Sequence, residues 1–341
     1  MVSNVLCNYL SRLIDRESLN RREAGELLEA MLREDASDSQ IAATLVVLSA
    51  KGETVEELAG MASVLRERAV RINSCHALFI DTAGTGSSPA KTFNVSTAAA
   101  FVIAGAGLPV AKHGNRAASS KSGSADVLTA LGVNVSALTK VTEACLNEIG
   151  ICFMFAPLYH GATARVAGIR RELGIHTTFN LLGPLSNPAG APMQIIGVWR
   201  RDLVELLANV LAALGTERAW VVHGQDGLDE ITLAGKTFVA EAHQGKVTSF
   251  EIAPQDFGLF VGVLDHLRGG DAEANARIVR EVLSGERRDE ARALVVANAA
   301  AALYVGGKAQ TLKEAAELAE HSLDSGAAWR KLEELIRATN S

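Results

Sequence analysis

The chain has 341 residues, 48% of them hydrophobic, 21% charged and only 5% aromatic, with 30 glycines and a formal net charge of −6. This length admits two domains and a substantial core, while the acidic balance gives no general pull toward nucleic acid or an anionic membrane. No stretch reaches the roughly 18 uninterrupted apolar residues of a membrane span, and the N-terminus lacks the basic-then-apolar order of a secretory signal.

The start of the chain reads as helix alone. Asn20-x-x-Glu23, Ser37-x-x-Gln40 and Thr54-x-x-Glu57 each have the form of a capping box. Each precedes an apolar stripe at helical spacing: Ala24, Leu27, Leu28 and Met31; Ile41, Leu45 and Leu48; Leu58, Met61 and Leu65. From residue 78 the pattern changes. Strands are predicted at 78–82, 109–112, 151–155, 194–199 and 219–223, with helices at 97–106, 125–131, 139–149 and 203–214 between them. This alternation predicts a largely parallel sheet flanked by helices. A hairpin is expected from 237–242 and 246–252, and the chain from 272 onward reads as helical again. The fold class expected is α/β, with a small all-helical N-terminal domain over 1–70 and a larger α/β domain over 71–341. In such sheets ligands bind at the carboxyl ends of the strands, and three polar, Gly-rich segments fall there.

The first is Gly84-Thr85-Gly86-Ser87-Ser88-Pro89-Ala90-Lys91-Thr92-Phe93-Asn94-Val95-Ser96-Thr97. Glycines admit an anion close to backbone N–H groups, and hydroxyls and a helix start add donors. It matches neither the ATP P-loop nor the dinucleotide fingerprint, and an ordinary Gly turn with Ser96 or Thr97 as N-cap competes with the phosphate reading. The second segment, 112–126, brings Lys112, His113, Arg116 and Lys121 together with Ser119, Ser120, Ser122 and Ser124. That composition suits a multiply phosphorylated ligand better than a solvated loop. The third, Asp226-Gly227-Leu228-Asp229-Glu230, offers adjacent carboxylates of the kind Mg²⁺ shares with substrate phosphates, though acidic turns are common. A fourth stretch carries Arg165, Arg170 and Arg171, of which one facing inward suits a bidentate clamp on a carboxylate. Cys7, Cys75, Cys145 and Cys152 show no C-x-x-C and no zinc spacing, and read as reduced thiols.

Taken together, Gly84-Thr85-Gly86, the 92–97 and 112–126 segments, Thr178-Phe179-Asn180-Leu181-Leu182-Gly183-Pro184-Leu185 and Asp226-Gly227-Leu228-Asp229-Glu230 resemble the anthranilate phosphoribosyltransferase family of tryptophan biosynthesis. The resemblance spans nearly the whole chain and includes Ser39-Gln40-Ile41 and Lys51-Gly52-Glu53-Thr54. It implies the nucleoside phosphorylase/phosphoribosyltransferase class, with the helical domain completed by the helix around 160–182 and 71–341 binding phosphoribosyl diphosphate. It implies a cytoplasmic homodimer joined through the helical domains, with anthranilate, phosphoribosyl diphosphate and Mg²⁺ as ligands and neither nucleic acid nor membrane as partner. By match, Gly84, Ser87, Ser88, Thr92, Asn94, Val95, Ser96, Thr97, Lys112, His113, Gly114, Asn115, Arg116, Ala117, Ala118, Ser119, Ser120 and Ser124 line the phosphoribosyl diphosphate. Gly84, His113, Asn115 and Arg170 face anthranilate. Ser96, Asp229 and Glu230 serve the metal.

Two positions depart from the family pattern: Ser87-Ser88, followed by Pro89, where Gly-Asp is usual, and Gly161 where Pro is usual. Both bear on affinity and loop closure more than on the reaction. No Ser/His/Asp or Cys/His constellation is evident, so no catalytic acid, base or nucleophile is assigned, and catalysis is expected from positioning and electrostatics. The alternatives are a pyrimidine nucleoside phosphorylase, disfavoured by Asp229-Glu230 and the 178–185 segment, and a non-catalytic nucleic-acid-binding relative, which would show a basic groove.

Overall fold

The computed structural model describes residues 3–86, 92–117, 121–263 and 267–341. The chain begins with four helices, α1 (Ser3–Ile14), α2 (Arg21–Met31), α3 (Asp38–Lys51) and α4 (Val55–Arg68). All three expected capping boxes form. Asn20, Ser37 and Thr54 each accept from the backbone N–H three residues on, and the Glu23, Gln40 and Glu57 side chains accept in return from the cap N–H. Each box satisfies two donors that a helix start otherwise leaves unpaired.

The α/β part then runs β1 (Ile80–Gly84), α5 (Val95–Gly105), β2 (Val110–Gly114), α6 (Ser124–Ala130), α7 (Thr139–Ala144) and β3 (Ile151–Phe155). It continues with α8 (Ala156–Tyr159), α9 (Ala164–Leu173), α10 (Thr178–Leu185), β4 (Met193–Gly197), α11 (Leu203–Ala213) and β5 (Arg218–Gly224). It closes with β6 (Thr237–His243), β7 (Lys246–Ile252), α12 (Ala272–Leu283), α13 (Glu290–Val305), α14 (Leu312–Asp324) and α15 (Ala327–Thr339). The helix expected over 139–149 changes winding at Cys145, where a π turn over Cys145–Ile149 ends on Gly150 at φ +74°.

The strands form one seven-stranded sheet in the order β3-β2-β1-β4-β5-β6-β7. The neighbours from β3 to β5 run parallel, and β6 and β7 add an antiparallel hairpin. Gln244 and Gly245 both take positive φ at its turn, as a two-residue loop between right-twisted strands requires. Strand periodicity divides the core in two. Met193, Ile195, Trp220 and Val222 point to the face covered by α5 and α13, while Ile196, Val198, Ala219 and Val221 point to the face covered by α11. The α5–α13 layer interleaves buried alanines with branched aliphatics such as Val102, Ile103, Leu294 and Val295, so it fills its volume with little aromatic content. Val166, Ile169, Phe179, Leu181 and Leu182 of α9 and α10 share the second cluster with the apolar faces of α1 to α4.

The connections run from β1 outward through β2 to β3, then return to the other side of β1 with β4. The carboxyl ends of β1 and β4 therefore flank a switch point, where an open parallel sheet leaves a crevice.

Candidate active site

β1 ends on Gly84 and pairs with β4 over its full length, Gly84 opposite Gly197. Residues 87–91, Ser87, Ser88 and Pro89 among them, lie outside the described residues. The chain returns at Thr92, whose Oγ1 donates to the Leu267 carbonyl (2.9 Å). Asn94 occupies the N-cap of α5 but makes no side-chain cap hydrogen bond there. Val95 and Thr97 are buried in the first turn, and the Thr97 hydroxyl has no partner among the described residues.

β1 and β2 pair at one position only, Ile80 with Val110. Beyond it two side chains bridge the strands. Asp81, fully buried, accepts from the His113 backbone N–H (3.1 Å) and from Asn187 Nδ2 (2.8 Å). Lys112 crosses the other way: its ammonium donates to the Thr82 carbonyl, and lies 3.3 Å from Thr82 Oγ1 and 3.4 Å from Ser96 Oγ. Burial raises the Asp81 carboxyl to about 6, with the Lys112 charge opposing the rise. Burial lowers the lysine, which Asp81 and Glu230 offset. Lys112 is thus a buried cation held by a carbonyl and two hydroxyls beside the start of α5.

The 112–126 loop is tied at both ends by one carboxylate. Asp126 accepts from Arg116 Nη1 (2.8 Å), the Ala117 N–H (2.9 Å) and the Gly123 N–H (2.9 Å). Ser124 Oγ donates to the Asn115 carbonyl (3.4 Å), drawing Gly114, Asn115 and Ser124 to the end of β2. Ala118, Ser119 and Ser120 lie outside the described residues.

The acidic segment leaves β5 and folds back over the sheet. Asp226 is spent on its own turn, accepting from the Leu228 N–H and Thr232 Oγ1. Glu230 instead reaches α5, where Oε1 accepts from the Ser96 N–H (3.2 Å). Burial raises Asp229 to about 6, and burial with the neighbouring Asp229 charge raises Glu230 to about 8. Buried side by side, the two carboxylates and the Ser96 hydroxyl supply the hard oxygens that fit Mg²⁺. Among the described residues no group of three or more His, Cys, Asp or Glu side chains gathers into a metal cage.

A second half of the crevice lies beside β2. The His113 and His160 rings stand 5.1 Å apart, both buried, each with an Nε2 that has no partner among the described residues. Burial and then His160 push His113 down to about 3, so its imidazole is neutral near neutral pH. Of the three arginines in the fourth segment, Arg165 is spent on Asp38 (2.7 Å) and Arg171 is exposed. Arg170 alone turns inward, donating to Thr177 Oγ1 (3.0 Å) and Asn180 Oδ1 (3.1 Å) with its guanidinium 5.5 Å from the Phe179 ring. Gly161 begins a short 3₁₀ turn, where a Cβ would meet nothing within 4 Å.

Sequence reasoning passed over Asp81, Asn187, His160 and Asn275. Two of them carried a signal: Asp81 is a lone acid inside an apolar strand, and Asn275 lies on the helical stripe of Val279 and Val282.

Comparison with known proteins bears on the family and the fold. Residues 8–69 match the helical bundle domain of a glycosyl transferase family and residues 76–329 match its a/b domain. An anthranilate phosphoribosyltransferase of Moorella thermoacetica is 49% identical over 327 residues, covering 96% of both chains. The crystal structure of the anthranilate phosphoribosyltransferase of Thermus thermophilus superposes with a TM-score of 0.92 at 39% identity, covering 97% of this chain and 99% of that one. The Saccharomyces cerevisiae enzyme in complex with PRPP and Mg gives 0.89 at 29% identity, covering 98% of each chain; its complex with 4-fluoroanthranilate gives 0.89 at 27%, covering 100% and 99%.

Proposed function

The chain belongs to the anthranilate phosphoribosyltransferase family, and on that premise we propose how its own residues carry the reaction. The reaction transfers the phosphoribosyl group of phosphoribosyl diphosphate to the anthranilate amine and releases diphosphate, in L-tryptophan biosynthesis. The observation that carries the site assignment is the meeting of three segments distant in sequence. Ser96 takes Glu230 on its N–H (3.2 Å) and faces Lys112 with its Oγ (3.4 Å).

In this reading the diphosphate lies over the start of α5, among Gly84, Thr92, Asn94, Val95, Ser96 and Thr97. Lys112 and the 112–126 segment, including His113, Gly114, Asn115, Arg116, Ala117 and Ser124, close around the diphosphate and ribose phosphate. Ser87, Ser88, Ala118, Ser119 and Ser120 complete that list on sequence grounds. Asp229, Glu230 and Ser96 would hold Mg²⁺, as the yeast relative's complex with PRPP and Mg suggests. When bound, the ion would neutralise charge on the departing diphosphate. Anthranilate enters beside Gly84, His113 and Asn115, with Arg170 pairing its carboxylate; the yeast complex with 4-fluoroanthranilate supports this choice of ligand.

An aromatic amine is a weak nucleophile, so cleavage to diphosphate runs ahead of bond formation at C1. Lys112 and the side chains of Asn94 and Thr97 at the start of α5 stabilise the charge that builds on the leaving group. A neutral His113 places no competing cation beside the amine. The site otherwise works by holding the two substrates in line, and no side chain need act as a strong base.

The chain divides into a helical domain over 1–70, completed by α9 and α10, and the α/β domain over 71–341. Homodimerisation uses the helical domain, where a groove of about 490 Å³ runs between α2 and α4, lined by Arg21, Arg22, Glu26, Glu29 and Arg33. Four unpaired cysteines suit a reducing compartment such as the cytoplasm. Formation of phosphoribosyl anthranilate with and without Mg²⁺ tests the reading.

A further inference from the structure

We propose that Asn275 is a positioning residue that fixes the amide polarity of Asn94, so that Asn94 presents an N–H₂ donor to the diphosphate. This rests on the reading of 92–97 as the anion-binding segment. Asn275 sits in α12, nearly buried at 3% exposure and about 180 residues from Asn94 along the chain.

The orientation of an asparagine amide follows from its hydrogen-bond network, and here the network starts from a group that cannot be reversed. The backbone N–H of Gly270 donates to one end of the Asn275 amide (2.7 Å). That end is therefore the oxygen, Oδ1. The other end, Nδ2, carries two protons and spends both, on Asn94 Oδ1 (3.0 Å) and Ser122 Oγ (2.9 Å). Ser122 Oγ in turn donates to the same Asn94 oxygen (3.1 Å). Two donors converge on one end of the Asn94 amide, so that end is an acceptor and Nδ2 is turned away from it. This explains why Asn94, an asparagine at an N-cap, leaves its helix uncapped by side chain: its oxygen is committed elsewhere.

Two further contacts hold the 267–275 segment against the anion loop. Thr92 Oγ1 donates to the Leu267 carbonyl (2.9 Å), and a Cβ built on Gly269 would overlap the Thr92 carbonyl. A chain of bonds thus runs from Gly270 through Asn275 to Asn94 and Ser122, setting a donor where an anion is to bind and an acceptor would repel it.

The test is steady-state kinetics on four variants, with thermal melts alongside. Asn275→Asp keeps the shape and the bond from Gly270 but has no proton to give, so Asn94 turns its N–H₂ inward and its oxygen outward. Asn275→Ala leaves a cavity but does not invert Asn94. A purely structural role makes Ala the worse variant. The polarity role makes Asp the worse one: KM for phosphoribosyl diphosphate should rise about tenfold or more, above the Ala value, while KM for anthranilate stays within about twofold. Repeating Asn275→Asp on an Asn94→Ala background separates the charge it introduces from its effect through Asn94. If Asn94 carries the effect, Asn275→Asp adds nothing there; if it adds its full effect, or if Ala is the worse variant, the proposal is overturned. An Asn94→Ala enzyme with wild-type KM for phosphoribosyl diphosphate would overturn the site reading itself. Should Asn275→Asp not fold, Ser122→Ala removes the second donor to Asn94 without charge. A rise in KM for phosphoribosyl diphosphate alone supports the proposal, and an unchanged value contradicts it.

Discussion

The backbone carbonyl of Asp229 occupies the space that a Cβ on Gly197 would need. Gly197 is the last residue of β4 and stands opposite Gly84 at the end of β1. The acidic loop therefore rests directly on the sheet, and the absence of a side chain at 197 sets how far the two carboxylates descend toward the crevice. Gly197→Ala should push Asp229 outward by a side chain's width and lower kcat/KM about a hundredfold, the scale on which a displacement near 1 Å acts. Activity close to wild type, measured with both substrates saturating and again at limiting phosphoribosyl diphosphate, would show that the loop's height is unimportant.

Asp229 and Glu230 keep their protons up to about 6 and about 8 because burial disfavours their charge. Between the ordinary carboxylate range and those values the folded chain binds protons that the unfolded chain has released. Their contribution to metal-free stability is therefore present at low pH and is lost as pH climbs toward about 8. Mg²⁺ acts in the opposite sense, expelling protons, so its affinity should rise with pH across this window. Calorimetric titration with Mg²⁺ at about neutral pH, in two buffers of different ionisation enthalpy, should give heats that differ with the buffer. Identical heats would mean that the acidic pair is already ionised.

Arg170 holds Thr177 and Asn180 at the start of α10 as well as facing inward. Arg170→Ala should weaken anthranilate by about 2–5 kcal/mol, the usual cost of stripping a charged partner from a buried pair, with much less effect on the phosphoribosyl donor. Equal loss for both substrates would assign Arg170 to the folding of α10.

The helical unit has an electrostatic anchor of its own. Glu57 is fully buried, pairs with Lys51 Nζ (2.9 Å), and accepts from the Leu19 N–H (3.0 Å) and the Thr54 N–H (2.8 Å). Glu57→Gln should cost about 3–5 kcal/mol by leaving Lys51 buried without its partner. Asp202→Asn, which breaks the exposed Arg200–Asp202 pair, should cost under about 1 kcal/mol. Urea unfolding of the two variants side by side checks the contrast.

Much of this was legible in the sequence because short-range rules govern it. Capping boxes, strand alternation and the turn at Gln244-Gly245 are local, and all seven strands fall where apolar runs meet turn residues. The carboxylates at 229 and 230 and the cation at 112 stood out because charge at a strand exit has little structural use. What stayed hidden was pairwise and distant. Asp81 meets Asn187 and His113 meets His160 because the sheet places β1 between β2 and β4 and β3 beside β2, and Asn275 meets Asn94 because α12 packs on α5. The π turn at Cys145 also escaped, since its residues have ordinary helical preferences.

In the proposed reading the β1, β2 and β5 loops form one site that joins anthranilate to a phosphoribosyl group with the help of Mg²⁺. Phosphoribosyl anthranilate and diphosphate should be measured together, for the wild-type chain and for Asp229→Asn/Glu230→Gln, across a Mg²⁺ titration. The wild type should give equal amounts of both products, dependent on Mg²⁺, and the folded double variant should lose nearly all turnover at every Mg²⁺ concentration. A wild-type chain that forms neither product, or a double variant that turns over at the wild-type rate once Mg²⁺ saturates, would contradict that reading.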